Sequence, residues 1–394
     1  MDIVIYLVLV FCLLIFTTMK VGIFETDHFE VAYTVIKLFD LPANRLVVFT
    51  TPATYKRLTD LLTTSINRYE WVILDATGPR MAFFNQLYTE AKSRQLDLLY
   101  MNTISNNHLL FARTIERLKV PRVVLTVHDI NCLFESTFSL HPRKLVQHIG
   151  KKRLVKQVQE FNVISDTMID YLTKKTEGKK QVHNLPGAIF QHNHVPAEVN
   201  DHIHLVIPGS IDKKRRDYAL IFALAELADE KKLPLRLTIL GGYTDDYGRD
   251  IYKRAAAYTS ACVQLTCYDT DIIEQDEFDR QLNAAHFILI PSVINTAICF
   301  DIPEIYGITK SSGNIFDVVK HAKPFIIPQQ LTIPASLESS GFRYNSAASI
   351  IDLITSLLRE KTSYGKWEQQ AVANSMAYTI DEVRAKNLKL VQGE

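Results

Sequence analysis

Residues 287–328 read FILIPSVINTAICFDIPEIYGITKSSGNIFDVVKHAKPFIIP, and their order decides the fold. Apolar runs at 287–291 and 325–328 suit short strands buried on both faces, and between them Ser311-Ser312-Gly313 opens a helix predicted over 314–321. Strand, loop, helix and strand in that order place backbone N–H groups at a helix N-terminus, beyond the carboxyl edge of a parallel sheet. A phosphate binds well there, and the stretch reads as nucleotide-handling.

A second stretch repeats the logic. In LVIPGSIDKKRRDYALIFALAEL, residues 205–227, a short strand ends at Pro208-Gly209-Ser210, a basic cluster follows, and a periodic helix is predicted from 217 to 229. Gly209 lets the backbone approach a ligand closely, and Lys213, Lys214, Arg215 and Arg216 supply charge that can meet a diphosphate. Basic side chains in a helix's first turn oppose its dipole, so this position suits an anion better than an isolated helix.

Outward from these loops the alternation covers the chain. Strands are predicted at 21–24, 46–50, 71–75, 98–101, 123–127 and 161–165, with helical periodicity at 31–39, 55–65, 81–93 and 109–118. Residues 174–204, rich in Lys, His, Asn, Pro and Gly, read as a crossing. Strands then restart at 205–208, 236–240, 263–267, 287–291 and 325–328, with helices at 217–229, 250–259, 278–284, 314–321 and 347–359. The fold class is α/β, with two Rossmann-like, doubly wound parallel-sheet domains. The expected division is an apolar segment at 1–18, an N-terminal domain at 19–185, a C-terminal domain at 186–365, and a terminal helical segment at 366–394 that returns to the first domain.

Composition narrows the function classes. A chain of 394 residues with 47% hydrophobic side chains can build two cores, and a formal net charge of +1 gives no global field for nucleic acid, which is set aside as a partner. Five scattered cysteines make a disulfide framework unexpected, and the reducing cytosol is the default compartment. No metal site is expected. His183, His192, His194, His202 and His204 fall across the crossing, and Asp269-Thr270-Asp271, with Glu274, Asp276 and Glu277 close by, reads as a solvated helix start.

Residues 3–16 are uninterrupted apolar, shorter than the roughly 20 residues that span a bilayer, with no basic region before them. They read as a short anchor or interfacial segment, a helix docked on the protein, or sequence preceding a working start at Met19-Lys20. An anchor with Lys20 behind it would keep the rest of the chain at the cytoplasmic face. The basic segment 142–157, PRKLVQHIGKKRLVKQ, suits either an anionic membrane surface or a surface helix packed on its own domain.

Tandem Rossmann-like domains with phosphate loops concentrated in the second resemble the GT-B glycosyltransferases, in particular the glycogen-synthase-like and bacterial polysaccharide group. VVLTVHDIN at 123–131, LVIPGSIDKKRRDYALIFAL at 205–224, and the 291–328 region with Glu304-Ile305-Tyr306-Gly307 and Lys323-Pro324 carry the likeness. The resemblance implies a nucleotide sugar as donor, mainly on the second domain, and a glycan or lipid-linked acceptor, mainly on the first. It implies chemistry in a central cleft, without a cofactor. It places the diphosphate on Gly209, Ser210, Lys213, Lys214 and Arg215, with Glu304, Tyr306, Gly307, Lys310, Ser311, Ser312 and Gly313 completing the donor site.

Many relatives carry a second glutamate after the first. Here Glu304 fits the first, the position eight residues on is Ser312, and Asp317 fits only with an insertion. His128 and Asp129, at the end of the strand 123–127, and Asp27 and His28, after the first strand, are the candidate bases. A sugar-nucleotide 2-epimerase and a non-catalytic nucleotide- or glycan-binding protein are the alternatives on the same architecture.

Overall fold

Short β-branched and aliphatic runs separated by helices leave strands with no polar face, and such strands are stable only between two layers of helix. The computed structural model, which describes residues 19–135, 141–298 and 301–392, contains two sheets of this kind. The first has strands β1 (Met19–Phe24), β2 (Asn44–Thr50), β3 (Glu70–Ile73), β4 (Leu98–Met101), β5 (Arg122–Val127), β6 (Glu160–Val163) and β7 (Gln181–Asn184), in the order β3-β2-β1-β4-β5-β6-β7. The registered pairs among β1 to β5 are parallel.

The second sheet follows with β8 (Ile203–Pro208), β9 (Leu235–Leu240), β10 (Val263–Cys267) and β11 (Phe287–Leu289). A two-residue antiparallel ribbon, β12 (Asn295–Thr296) with β13 (Glu304–Ile305), precedes β14 (Phe325–Pro328) and β15 (Gly341–Tyr344). The order is β10-β9-β8-β11-β14-β15, parallel throughout. Alternation sorts its core. Leu205 and Ile207 join the cluster of Leu237, Ile239 and the helices Tyr218–Glu230 and Ala347–Arg359, while Val206 joins Ile288, Ile327 and the helix Asn314–His321 on the other face.

The chain forms two compact units, residues 19–126, 141–162 and 384–392 in the first, and 127–135, 163–298 and 301–383 in the second. The residues after β5 therefore belong to the second unit. Of the terminal segment, the helix Tyr364–Ser375 stays in the second unit, where Trp367 meets Phe287 at 5.9 Å between ring centroids. Residues 384–392 belong to the first. Arg384 donates to the carbonyls of Lys37 (2.7 Å), Asp40 (2.9 Å) and Leu38 (3.0 Å), and Asn44 Nδ2 donates to the carbonyl of Val391 (2.9 Å).

The two-sheet expectation holds, with differences at the edges. Strands β7 and β15 were not expected. Each closes an end of its sheet and needs less burial, so Gln181, His183, Asn184 and Arg343 dilute its apolar signal. The helix expected over 250–259 spans Asp246–Ala256, because the Asp245 side chain caps it by accepting from Gly248 N (2.8 Å). The apolar run 3–16 lies outside the described residues, and no helix among those described is long and apolar enough to cross a membrane. Cys132 is disulfide-bonded, which the scatter of the cysteines did not predict, whereas Cys262 and Cys267 are free thiols.

The histidines assigned to a crossing are partly structural. His183 is buried in β7, and His204 is buried in β8 with Nε2 at 2.9 Å from Thr238 Oγ1 and Nδ1 at 3.2 Å from the carbonyl of Ala284. The His204 N–H donates to His286 Nδ1 (2.9 Å), and His286 Nε2 lies 3.0 Å from the carbonyl of Glu198. Burial pushes His204 down to about 4 and lowers His286 and His321, so all three are neutral in the folded unit.

The unfolded chain takes up protons near pH 6.5 that the folded chain refuses. The contribution to stability is therefore complete above that pH and is lost progressively as the pH falls toward 4. His204 alone is worth on the order of 3 kcal/mol across this window. Urea unfolding between pH 7.5 and 4.5 is expected to show a falling midpoint, with a shallower slope in His204→Asn; a flat profile would contradict the neutral buried cluster.

Candidate functional site

The carboxyl end of β8 is built around one carbonyl. Pro208 O accepts from Arg216 Nη2 (2.6 Å) and from Asn314 Nδ2 (2.8 Å), Arg216 Nη1 donates to Ser210 O (2.8 Å), and Arg216 Nη2 also donates to Asn314 Oδ1 (3.2 Å). The strand end, the basic loop and the first residue of the helix Asn314–His321 are thus one hydrogen-bonded unit. Gly209 sits at φ +94, which requires glycine, and a Cβ there would lie 2.2 Å from Arg216 Nη2 and push the guanidinium off its carbonyls.

Arg216 is therefore a brace rather than a solvated charge. The basic run also lies outside the helix that the sequence assigned it to. Asp217 caps the helix Tyr218–Glu230 by accepting from Leu220 N (3.1 Å), which leaves Lys213, Lys214 and Arg215 in the preceding turn. That turn is held by Asp212, which accepts from Lys214 N (2.8 Å) and Arg215 Nε (3.0 Å). Lys213, Lys214 and Arg215 are exposed, and Lys214 Nζ donates to the carbonyl of Ala297 (2.9 Å).

Between β11 and the helix Asn314–His321 the chain inserts the β12–β13 ribbon and a tight loop. Gly307, at φ +84, donates to Lys310 O (2.7 Å), and Lys310 N returns to Ile305 O (3.2 Å). This loop buries Tyr306 and carries Lys310, only 8% exposed, with its ammonium 5.7 Å from the centre of the Tyr306 ring and paired with the Asp129 carboxylate. Burial raises the Tyr306 phenol, and the positive charges of Arg215 and Arg216 counter the rise while Asp129 and Asp212 add to it. Val293 N donates to Arg215 O (3.0 Å) and Tyr306 N to Ile294 O (2.9 Å), so the basic turn and the loop of Tyr306 and Lys310 are both tied to the stretch after β11.

The residues after β5 are fastened to the same loop. Ile130 N donates to Thr309 O (2.8 Å), Asn131 Nδ2 to Pro303 O (2.9 Å), and Cys132 N to Glu304 Oε1 (2.7 Å), while Tyr171 donates from its hydroxyl to Asn131 Oδ1 (2.8 Å). Glu304 is 1% exposed, and its Oε2 has no hydrogen bond of ordinary geometry. Burial raises its carboxyl, moderated by the Thr309 hydroxyl and the Cys132 amide and reinforced by the nearby Asp129 charge.

The second unit thus brings together Asp129, Gly209, Ser210, Arg215, Glu304, Tyr306, Gly307 and Lys310, with half-buried His128 adjoining Asp129 in the chain. Gly313, helical at φ −57, precedes Asn314, and Ser311 and Ser312 line a recess with Asp166, Asn184, Thr332 and Tyr378 rather than Arg216. Asp27 and His28 lie exposed in the first unit, where Asp27 Oδ2 accepts from Ser105 Oγ (2.6 Å).

Two residues escaped the sequence reading. Asn314 carries only the signal of its place after Ser-Ser-Gly. Glu25, fully buried, accepts from Asp27 N (2.5 Å), Thr26 N (2.6 Å), Asn102 Nδ2 (2.7 Å) and Thr103 Oγ1 (2.7 Å), and a charged residue directly after an apolar strand was its only mark. Asp269, weighed as a metal ligand, accepts from the Tyr243 hydroxyl, and no metal-ligating cluster is found among the described residues.

Sucrose-phosphate synthase from Thermosynechococcus elongatus matches 95% of this chain over 98% of its own, with a TM-score of 0.65 at 14% identity. The Anabaena protein HepE, in complex with UDP and glucose, matches 95% over its full length with a TM-score of 0.64 at 11% identity. The fold is GT-B. UDP-GlcNAc 2-epimerase from Neisseria meningitidis, bound to UDP-GlcNAc, shares the architecture over 94% of this chain and 100% of its own, with a TM-score of 0.56 at 12% identity. No protein-family model matches the sequence, and no curated protein does.

The brace makes a prediction about this GT-B site. Removing the Arg216 guanidinium takes this donor from Ser210 O and Asn314 Oδ1 and leaves Pro208 O with Asn314 Nδ2 alone, so Arg216→Ala is expected to cost roughly 2–4 kcal/mol in urea unfolding. Arg216→Lys should recover little, since one ammonium cannot span the fork; a neutral effect of both would remove the brace from the account.

Proposed function

We propose that the protein is a glycosyltransferase that moves a sugar from a nucleoside diphosphate sugar, held on the second unit, to a hydroxyl of a glycan or lipid-linked acceptor in surface polysaccharide or glycoconjugate synthesis. The observation that carries the reading is the buried Lys310 ammonium beside Tyr306, in the same unit as the exposed basic turn 213–215 and a glycine strand end joined to the start of a helix. Cations and helix N–H groups in such a place answer the charge of a diphosphate.

In the transfer the bond from the anomeric carbon to the diphosphate oxygen breaks, and the leaving group gains negative charge as it departs. Lys310, Arg215 and the helix at Asn314 would stabilise that charge, a role that needs no resident metal. The acceptor oxygen forms the new bond and gives up its proton, for which His128, Asp129, Asp27 and His28 are the candidate bases. Glu304 Oε2, buried and unsatisfied by protein, is the acceptor left for a sugar hydroxyl.

HepE was seen with UDP, which makes UDP the first probe. Thermal stabilisation by UDP, GDP, ADP, TDP and CMP, with and without EDTA, is expected to give an EDTA-insensitive shift with one diphosphate. Lys310→Ala should weaken that binding about tenfold or more, the loss of a charge-assisted hydrogen bond. No shift with any nucleotide would sink the donor site. Binding without turnover over a broad acceptor panel would favour the non-catalytic reading, and sugar product formed without an acceptor would favour 2-epimerase chemistry.

Asp129 makes the sharper prediction. Since it already neutralises Lys310, a diphosphate has to displace it. Asp129→Asn is therefore expected to tighten the bound nucleoside diphosphate severalfold in calorimetry, whereas weaker binding would show that Asp129 orients Lys310 rather than competing for it.

A further inference from the structure

The helix Pro142–Gln157 of the first unit carries Arg143, Lys144, Lys151, Lys152, Arg153 and Lys156 and no acidic residue, in a chain whose 44 Lys and Arg in all are nearly matched by 43 Asp and Glu. Its inner side is settled by packing on the helix His108–Leu118. A Cβ at Gly150 would meet Leu109 N at 2.6 Å, and Leu154 and Lys151 are buried beside that approach. On the opposite side, Leu145, Ile149, Lys152 and Lys156 fall in one row at spacings of four, three and four, with Val146 adjoining.

Packing therefore leaves a large part of the helix's apolar surface outside. Val146 is 51% exposed and Ile149 is 46% exposed, three residues apart and flanked by exposed Arg143, Lys144 and Lys152. The neighbouring helix adds Arg113, Arg117 and Lys119, all exposed, and its acidic residue Glu116 is already paired with Arg153. Positive charge concentrated on one face of a chain of nearly zero net charge, with aliphatic side chains in its midst, has a specific complement.

We propose that this helix is a docking face for a membrane surface containing anionic lipid. Phosphate headgroups answer the lysines and arginines, each worth a severalfold gain in partition near a charged surface, and Val146 and Ile149 enter the boundary between headgroups and acyl chains. A nucleic acid would use the charge but leaves the two aliphatic side chains without a role. The inference is independent of the nucleotide site, which lies in the other unit.

The test uses the full chain, sedimented with vesicles of phosphatidylcholine alone or with phosphatidylglycerol added. The wild type is expected to partition into the anionic vesicles, less so as salt rises. Lys144→Glu/Lys152→Glu is expected to bind them at least about tenfold more weakly, with Lys144→Gln/Lys152→Gln as the milder variant should the first fail to fold. Val146→Ser/Ile149→Ser is also expected to weaken partition. Any contribution from residues 3–16 is common to every variant and both vesicles. Equal partition of the wild type and the charge variants would overturn the proposal. So would aliphatic variants that bind like the wild type, and retention of an oligonucleotide by those variants would assign the face to nucleic acid.

Discussion

The carbonyl of Pro208 is the point on which the second unit's site depends. It ends β8, a strand with β9 on one side and β11 on the other, so its oxygen has no further strand to bond and must find side chains. Arg216 and Asn314 supply them, one from the loop that leaves β8 and one from a helix about a hundred residues on. The neighbouring turns are fixed by backbone alone. Gly209 N donates to Leu240 O (2.9 Å) and Ile211 N to Gly242 O (2.9 Å), and Cβ atoms at Gly241 and Gly242 would strike Gly209 O and Asp271 O, each at 2.1 Å. Glycines thus let three successive strand ends touch, and the site floor is rigid without side chains filling it.

Each unit also buries a carboxylate beyond the carboxyl end of a parallel strand, Glu25 after β1 and Glu304 after β11, and the two are treated differently. Glu25 receives four hydrogen bonds, two from the turn that follows β1 and two from residues after β4, so the cost of burying it is offset where two loops meet. Glu304 receives the Cys132 amide on one oxygen and leaves the other unsatisfied. The first arrangement is that of a fixed scaffold. The second leaves a buried acceptor without a hydrogen bond, which packing alone does not account for.

What the sequence made legible follows from where the signal is strong. Central strands such as Leu98–Met101 and the 205–208 part of β8 are apolar on both faces and announce themselves, and so did the glycine turn at 209. Edge strands did not, since one open side tolerates His183 or Arg343. Nor did the division of labour inside Lys213–Arg216. Four consecutive basic residues look alike in sequence, and only the positive φ of Gly209 and the carbonyls around it select Arg216 for the brace and leave Arg215 outward. The pairing of Asp129 with Lys310 spans 181 residues, and no local pattern encodes it.

That pair explains how the charge of Lys310 is held in the fold. An ammonium as enclosed as that of Lys310 is costly unless it is paired, so its loop needs an anion within reach. Asp129 provides a single carboxylate, carried by residues whose backbone is already anchored through Ile130 to Thr309 and through Cys132 to Glu304. Whatever displaces it must offer Lys310 more than one carboxylate does. On the proposed function, a diphosphate brings more charge and more acceptor oxygens, whereas a nucleoside or a free sugar brings neither, so the pair would favour phosphate before any base or sugar is recognised. On the same reading, an Asp129 so displaced would stay tethered beside the donor's diphosphate, as one of the candidate bases.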